Sequence, residues 1–509
     1  MSHQVVARPG EEGIVATLRK LAGNVALRTG TEAFKKLVNL GFVVFVARKL
    51  GADGLGRYSF LLVLTSILGL VADCGFSTLM LREVATRRDE APRLLGASII
   101  MKSFLSGITF GLLWIVIGWL HSSGGAGATS RIGYTEAYLF AAYSVLLSFM
   151  EMFNAFFVVD QRLDLDAITN VIQRGGAVLL GIVLVLAGMS VEGIGLAFMV
   201  ATGAAAIVAL WIVSRRFGNP IFRVKLALCK SLLKEAVPLA LTLFFSAVYF
   251  KIDQVMLGWM RSETELGWYS AAYRVFEVAA LIPSILMLIV LPVFSRLAKE
   301  SRKTLVRVGQ QVLALLLTLG IAVSVVIALA APRIIALFGR DFGAESSEAL
   351  SILIWTAVPI FCNFVLSTML IAIGKQTRLA HCFMLGAALN IALNWIAIPR
   401  WGYLGAAWST VITELVLFSL IAHFLGRYLS EWKIRAFLAR PLASALLAAG
   451  LALVLGLGSN RPVFAAVWLA LFGVGIVALR AINLRELALL RGAERILGHS
   501  NVADHGNRR

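Results

Sequence analysis

The sequence predicts an all-α integral membrane protein of about fourteen transmembrane helices, with two six-helix bundles and a C-terminal helix pair. Of the 509 residues, 59% are hydrophobic and only 15% are charged, whereas soluble domains carry about 25% charged residues. Apolar runs of about 20 residues, the length that crosses a bilayer, recur along the whole chain. A short sequence pattern also occurs twice, six spans apart. Composition therefore excludes a chain folded around one soluble core.

Each predicted span is an apolar run bounded by polar or charged residues. The first six cover about 24–47, 58–81, 95–120, 136–159, 167–189 and 192–213. The next six cover about 235–258, 269–294, 306–330, 349–373, 378–398 and 403–425, and the final pair covers 437–457 and 462–480. The predicted domains are an N-terminal tail (1–22), a first bundle (23–214), a basic linker (215–234), a second bundle (235–426), the appended pair (436–480) and a basic C-terminal tail (481–509).

Lysine and arginine are distributed unequally between the loops on the two sides of the predicted membrane. With alternate loops assigned from a cytoplasmic N-terminus, 31 of these residues fall on the cytoplasmic side and 9 on the other. This is the asymmetry that the positive-inside rule describes. We therefore expect an inner-membrane protein with both termini in the cytoplasm, and we attribute the net charge of +19 to topology rather than to nucleic-acid binding.

An internal repeat indicates that the two bundles are related. The pattern Leu-Gly-x-Tyr-Ser begins at Leu55, at the start of the second span, and again at Leu266, at the start of the eighth. Because six spans separate the copies, both enter the membrane in the same direction. The repeat is therefore parallel, with a pseudo-two-fold axis along the membrane normal.

Several cations lie inside the predicted spans, where a charge costs roughly 2.5–3.5 kcal/mol at the bilayer centre. They are Arg28, Lys35, Lys36, Lys102, Arg174, Lys251 and Arg274. We expect the three near span ends, Lys102, Arg174 and Lys251, to extend toward the membrane interface. Arg28 and Lys36 share one face of the first span with Glu32, and a charged face must avoid acyl chains.

Embedded cations slightly outnumber embedded acids, which favours an anionic cargo over a cationic one. We predict that Arg28 and Arg274, with Arg57 at the outer rim, contact that cargo, because guanidinium groups bind phosphate in a bidentate manner. Lys36 is predicted to bind it as well. Asn390 and Asn394 lie one turn apart on the eleventh span, where their amides either join helices or hydrogen-bond sugar hydroxyls.

The embedded acids are candidates for coupling transport to an ion gradient. Asp73 has no cation nearby in sequence, so it is either an H⁺ or Na⁺ site or a structural carboxyl bonded to a neighbouring helix. Further candidates are Asp253 and Glu414, and also Glu277, which can pair with Arg274 at i,i+3 spacing.

No enzymatic chemistry is predicted. The four cysteines show no CxxC spacing, and we expect neither a disulfide, a metal site nor a bound cofactor. No nucleotide-binding or hydrolase motif occurs in the sequence. The longest segments outside the predicted spans, near 214–234 and 331–348, are too short for a catalytic domain.

Four passages resemble a known family. They run from Ala47 to Tyr58, from Asp73 to Glu83, from Lys251 to Gly258, and from Asn390 to Thr410 with Glu414 following. In this order they resemble the polysaccharide-transport family, of the O-antigen flippase type, within the multidrug/oligosaccharidyl-lipid/polysaccharide exporter superfamily. The resemblance covers roughly residues 20–430.

The resemblance implies a flippase that moves a polyprenyl-pyrophosphate-linked oligosaccharide across the inner membrane by alternating access, for O-antigen, exopolysaccharide or capsule synthesis. It also implies membrane lipid, a polysaccharide polymerase and glycosyltransferases as partners. In the related lipid II flippase, cavity arginines are thought to hold pyrophosphate, and Arg28 and Arg274 lie in the comparable first and eighth helices. The sequence departs from a purely cationic cavity at Glu32 and Glu277.

The sequence also bears on two other classes of function. A cation-coupled exporter of small molecules from the same superfamily is the alternative, and an acidic cavity without embedded cations would have favoured it. An integral-membrane glycosyltransferase or polymerase would need a sizeable outer loop with catalytic residues, and the predicted outer loops are too short.

Overall fold

The structure is a computed structural model that describes residues 9–122, 132–222, 225–429, 431–432, 434–454 and 461–479. The exposure and contacts of individual residues are described for Gly30 and from residue 34 onward, apart from Thr242, residues 434–437 and Arg461. Within these residues, every regular element is a helix. This confirms the predicted all-α class.

The first bundle consists of six helical segments. They are α1 (Pro9–Asp73), α2 (Phe76–Thr86), α3 (Ala91–Ser122), α4 (Tyr134–Val159), α5 (Leu163–Leu186) and α6 (Val191–Phe217). Helix α1 begins at Pro9, so residues 9–22, which the sequence predicted as a tail, are helical. The left-handed Gly51, with φ of 70°, divides α1 into two limbs. The second limb and α2 form the second predicted span, with a break at Cys74 and Gly75.

The second bundle and the appended pair contain the remaining helices. They are α7 (Leu226–Met260), α8 (Glu263–Ala279), α9 (Leu281–Glu300), α10 (Arg302–Ile335), α11 (Gly343–Leu353), α12 (Ala357–Ala372), α13 (Gln376–Tyr428), α14 (Ile434–Val454) and α15 (Arg461–Ala478). Gly402 has φ of 54° and divides α13 into two limbs. Helices α8 and α9 together cover the eighth predicted span.

Ten helical segments in the described residues are long and apolar enough to cross a membrane. Two of them, Phe34–Thr86 and Gln376–Tyr428, contain 53 residues each, which corresponds to about 80 Å of helix against a hydrocarbon core of about 30 Å. In each of these segments a glycine with positive φ, Gly51 or Gly402, divides the helix into two limbs. Two shorter apolar helices, Leu438–Val454 and Pro462–Ala478, belong to the appended pair. The chain is thus a multi-pass membrane protein, and the total of fourteen crossings stays a prediction.

The two copies of the sequence repeat pack directly against each other. A Cβ atom on Gly56 would lie 1.9 Å from the carbonyl oxygen of Glu263, and one on Gly267 would lie 2.0 Å from that of Ala52. Each glycine therefore meets the carbonyl four residues before the other. Such a reciprocal contact is what a two-fold axis between the two copies produces.

Polar contacts join the two bundles at the same end. Arg57 lies 3.3 Å from Glu136 of its own bundle and 3.4 Å from Glu263 of the other. The Thr264 hydroxyl donates a hydrogen bond to Asp53. We call residues 48–57, 261–268 and 337–341 the joined end. The predicted topology places the joined end on the non-cytoplasmic side.

Further contacts strengthen the joined end. The guanidinium of Arg48 donates a hydrogen bond to the carbonyl oxygen of Leu337 at 2.7 Å. The indole of Trp268 donates one to the carbonyl oxygen of Asp341 at 2.9 Å. The first of these links the two bundles, and the second fixes the loop after α10 to α8.

Candidate functional site

Three cations and one carboxylate meet between the two bundles. Arg274, on α8, donates a hydrogen bond from Nη1 to Oε2 of Glu277 at 2.7 Å. The amino group of Lys36, on α1, lies 4.0 Å from Oε1 of the same carboxylate. Lys251, on α7, interacts electrostatically with all three of these groups. We call these four residues the cationic cluster, and their formal charge is +2.

The cationic cluster is held by both bundles and is largely buried. Arg274 is only 8% exposed, whereas the side chain of Lys36 is 39% exposed. The Lys251 amino group donates a hydrogen bond to the hydroxyl of Ser66, in the second limb of α1, at 3.3 Å. Lys36 and Lys251 therefore approach one carboxylate from different bundles, and movement of one bundle against the other must change the cluster.

The remaining predicted cargo cations lie outside the cluster or outside the described side chains. Arg28 lies on α1, but its side chain is not among those described. Arg57 is engaged by two carboxylates at the joined end, away from the cluster. Its predicted contact with an anion stays a prediction, and its observed contacts join the two bundles.

Two further cations bind polar groups inside the first bundle. Arg174 donates a hydrogen bond to the side chain of Asn39 at 2.9 Å. Lys35 donates one to Asn170 at 3.5 Å. The buried Tyr58 hydroxyl interacts electrostatically with both Arg174 and Arg274. Arg174 therefore lies toward the interior of the protein, although the sequence suggested that it extends to the interface.

Asp73 pairs with a lysine that is distant in sequence. Its Oδ1 lies 2.6 Å from the amino group of Lys102, on α3, which also donates a hydrogen bond to the carbonyl oxygen of Ser148 at 2.8 Å. The backbone N–H of Gly75 donates to Oδ2 of the aspartate. Lys102 is 0% exposed, so the expectation that it reaches the membrane interface is wrong. Asp73 thus stabilises the break between α1 and α2.

Asp253 and Glu414 line one small pocket of about 10 Å³ in the second bundle, together with Tyr249, Asn390 and Thr410 and several apolar side chains. The pocket lies where α7 and α8 pack against the two limbs of α13, and each carboxylate is 3% exposed. Neither carboxylate pairs with lysine or arginine in the part of the chain that the structure describes. Such a pair of acids can take up a cation or protons.

Neutral side chains hold the two carboxylates. Asp253 accepts hydrogen bonds from the hydroxyls of Tyr269 and Thr410. Glu414 accepts one from the amide of Asn363 at 2.8 Å. These donors were not predicted from the sequence. The available signal was that they are polar residues inside apolar spans, where polar residues are rare.

The two predicted asparagines are fully buried. Asn394 donates a hydrogen bond to Asn390 at 2.8 Å, and Asn390 donates one to Thr413 at 3.3 Å. The second of these bonds joins the two limbs of α13, which is the helix-joining role that the sequence left open. Contact of either amide with a sugar stays a prediction.

Comparison with known families adds the evolutionary context. A family profile described as "polysaccharide biosynthesis protein" matches residues 21–298. A second profile, MatE, matches residues 238–396. A protein of Haloferax volcanii, described as the probable low-salt glycan biosynthesis flippase Agl15, is 22% identical over 396 residues, which cover 76% of this chain and 80% of that protein.

Solved structures share the fold. The lipid II flippase MurJ in an inward closed conformation superimposes with a TM-score of 0.71 at 14% identity, covering 90% of this chain and 98% of that one. A multidrug resistance MATE family transporter of the MOP superfamily, inward-facing, gives 0.67 at 18% identity, covering 78% and 95%. An outward-facing MATE transporter gives 0.56 at 15% identity, covering 83% and 96%. The chain thus has the fold of these membrane transporters.

Proposed function

The chain belongs to the polysaccharide biosynthesis protein family, and on that premise we propose that it is a flippase for polyprenyl-pyrophosphate-linked oligosaccharide. The observation that carries the proposal is the cationic cluster, which places a formal charge of +2 between two bundles. The pyrophosphate of such a lipid is esterified at both ends, so it is a dianion at neutral pH, and arginine binds phosphate groups through two parallel hydrogen bonds. The cluster therefore suits the charged headgroup of such a lipid.

In the proposed cycle, the pyrophosphate displaces Glu277 from Arg274 and is then held by Arg274, Lys36 and Lys251. Movement of one bundle against the other separates the joined end and exposes the headgroup on the other side of the membrane. We place the protein in the inner membrane with both termini in the cytoplasm. Glycosyltransferases would supply the cargo, and a polymerase would consume it.

The test is translocation of a fluorescent polyprenyl-pyrophosphate oligosaccharide in liposomes that contain the purified protein. We expect Arg274→Ala to slow transport by about 30-fold or more, because truncating one member of a buried, hydrogen-bonded charge pair costs about 2–5 kcal/mol. Arg274→Lys should be intermediate, because lysine keeps the charge but not the bidentate geometry. Arg296→Ala is the matched control, since Arg296 pairs with exposed Glu300.

The outcomes separate the proposed function from the proposed site. Transport by the wild type that is unaffected in a folded Arg274→Ala variant would keep the flippase and remove the cluster as its headgroup site. Absence of transport of any lipid-linked glycan, together with ion-driven efflux of small cations, would instead support the multidrug-type exporter.

The pocket of Asp253 and Glu414 supports a further part of the proposal, namely that H⁺ or Na⁺ binding there drives the cycle. Two buried carboxylates without a basic partner are costly when both are ionised, and a bound cation or proton relieves that cost. We expect Asp253→Asn to abolish the dependence of uphill transport on an imposed H⁺ or Na⁺ gradient. Unchanged gradient dependence in that variant would exclude the pocket as the coupling site.

A further inference from the structure

An open pocket lies at the joined end, between the first limb of α1 and the segment that connects α10 to α11. It encloses about 750 Å³, which is within the range of small-molecule sites, about 300–1,000 Å³. Arg48 lines it from the first bundle, and Arg340 lines it from the second, together with the end of α10 and one face of α11. The pocket is therefore complete only while the two bundles meet here.

The two arginines of this pocket keep hydrogen-bond donors available. Arg48 donates from Nε to the carbonyl oxygen of Leu337, and its two amino groups have no partner among the described residues. Arg340 makes neither a hydrogen bond nor an ion pair within the described part of the chain. A Cβ atom on Gly339 would lie 3.7 Å from Cγ of Arg48, so the neighbouring Arg340 begins beside Arg48. Of the described lining residues one, Glu348, is acidic, which leaves a formal charge of +1.

Membrane topology does not account for a basic pair at this end. In the predicted topology, 9 loop lysines and arginines lie on the outer side against 31 on the cytoplasmic side, so basic residues are scarce where this pocket lies. Arg57 and Arg261, at the same end, each pair with a glutamate. Arg48 and Arg340 pair with no described carboxylate, and two such guanidiniums in one pocket suit a phosphate group, which arginine binds through parallel hydrogen bonds.

The rest of the pocket wall favours a phosphate carried by a lipid. Ser347 and Ser351 contribute hydroxyl groups, whereas Pro332, Ile335 and Ala336 contribute apolar surface. Free phosphate would leave that apolar surface uncovered, and the glycerol ester part of a phospholipid would cover it. The predicted spans end at 330 and resume at 349, so the pocket lies at the level of the outer headgroups.

We propose that this pocket binds the phosphate group of an anionic membrane lipid and that the bound lipid holds the joined end closed. The phosphate would bridge Arg48 of the first bundle and Arg340 of the second. Separation of the joined end would move these arginines apart, so the lipid binds the closed form in preference and shifts the population toward it. The lipid composition of the outer leaflet would thereby regulate opening, whatever the cargo is.

The test is the rate of disulfide formation between Asp53→Cys and Thr264→Cys, in full-length protein whose native cysteines are replaced. Nanodiscs of phosphatidylcholine are compared with nanodiscs that also contain phosphatidylglycerol. We expect phosphatidylglycerol to raise the rate by at least about threefold, because a ligand that binds one form stabilises that form by mass action. In Arg340→Gln and in Arg48→Gln, phosphatidylglycerol should leave the rate unchanged.

Arg400→Gln is the matched control, because Arg400 is exposed on the same predicted side and lies outside the pocket. It should keep the full increase. Each variant is compared with itself in the two lipid mixtures, so the hydrogen bond to Leu337 that Arg48→Gln loses does not affect the comparison.

Three results would overturn the proposal or part of it. An unchanged rate in phosphatidylglycerol without any arginine variant would overturn it as a whole. An increase that persists in both Arg48→Gln and Arg340→Gln would overturn the pocket as the binding site. An equal increase from inorganic phosphate added to phosphatidylcholine nanodiscs would overturn the lipid as the ligand.

Discussion

Glu277 is the carboxylate of the cationic cluster, and both Arg274 and Lys36 lie against it. A buried guanidinium without a partner costs several kcal/mol, and the hydrogen bond from Arg274 to Glu277 removes that cost while no cargo is bound. An arriving phosphate offers the same acceptor geometry with more charge. In the proposed cycle the carboxylate is therefore a resting partner that the anionic headgroup replaces.

A second buried ion pair joins Asp73 and Lys102. Lys102→Met should lower the free energy of unfolding by about 3–5 kcal/mol, because it leaves the buried carboxylate of Asp73 without its cation. Asp73→Asn combined with Lys102→Met should recover most of that loss, since no uncompensated charge remains. The measurement is the unfolding transition of the detergent-solubilised protein for both variants.

The same variants decide between the two interpretations of Asp73. Lys303→Met is the matched control, because Lys303 is exposed at the start of α10, and its unfolding transition should not move. If the double variant is folded and still transports cargo under an ion gradient, Asp73 has a structural role. Gradient-driven transport that is lost in a folded double variant would instead make Asp73 part of ion coupling.

The sequence allowed charged residues to be listed but not always paired. Arg274 and Glu277 lie three residues apart on one helix, so their contact followed from helical spacing. Asp73 and Lys102 are 29 residues apart on different helices, and nothing in a hydropathy pattern brings them together. Lys251 joins the cluster for the same kind of reason, since its partners lie on other elements and only tertiary packing unites them.

Among the helical elements, the second limb of α1 and helix α8 approach each other closely across the boundary between the two bundles. Alanine in place of glycine inside a helix normally stabilises it by about 1 kcal/mol. We expect Gly56→Ala to do the opposite and to weaken the joined end, because its Cβ would lie 1.9 Å from the Glu263 carbonyl oxygen. The measurement is the rate of disulfide formation between Asp53→Cys and Thr264→Cys after replacement of the native cysteines.

The control for this prediction is Gly41→Ala on the same helix. A Cβ atom there would meet nothing within 4 Å, so the rate of disulfide formation should be unchanged. An equal rate in Gly56→Ala and Gly41→Ala would show that the close contact of the two glycines does not hold the joined end together.

The positions of the helices were more predictable than their interruptions. Hydropathy located the apolar segments, because the bilayer requires about 20 apolar residues per crossing. The break at Gly75 was not predicted: this glycine has φ of 74°, and a Cβ there would lie 3.0 Å from the carbonyl oxygen of Ala236 on α7. The division between α8 and α9 at Ala280 was likewise not predicted, since it leaves no signal in hydropathy.

At the scale of the whole molecule, the joined end lies close above the cationic cluster. Gly267 and Arg274 are seven residues apart on α8, which corresponds to about 10 Å along the helix. Separation of the two copies of the repeat would therefore open a short path from the cluster to the outside. The glycine contact, the Arg57 bridge and the hydrogen bonds from Thr264 to Asp53 and from Arg48 to Leu337 are among the interactions that must break for that to happen.

A cross-link across the joined end should therefore stop transport. Asp53 and Thr264 lie in different bundles and are close enough for their side chains to hydrogen-bond. A disulfide between Asp53→Cys and Thr264→Cys should reduce translocation of lipid-linked oligosaccharide to the background of protein-free liposomes, and reduction of the disulfide should restore it. The controls are the single variants Asp53→Cys and Thr264→Cys, which cannot form the cross-link and should transport normally under the same oxidising conditions. Undiminished transport by the fully cross-linked Asp53→Cys and Thr264→Cys variant would mean that cargo passes without separation of the joined end, and alternating access through this end would be excluded.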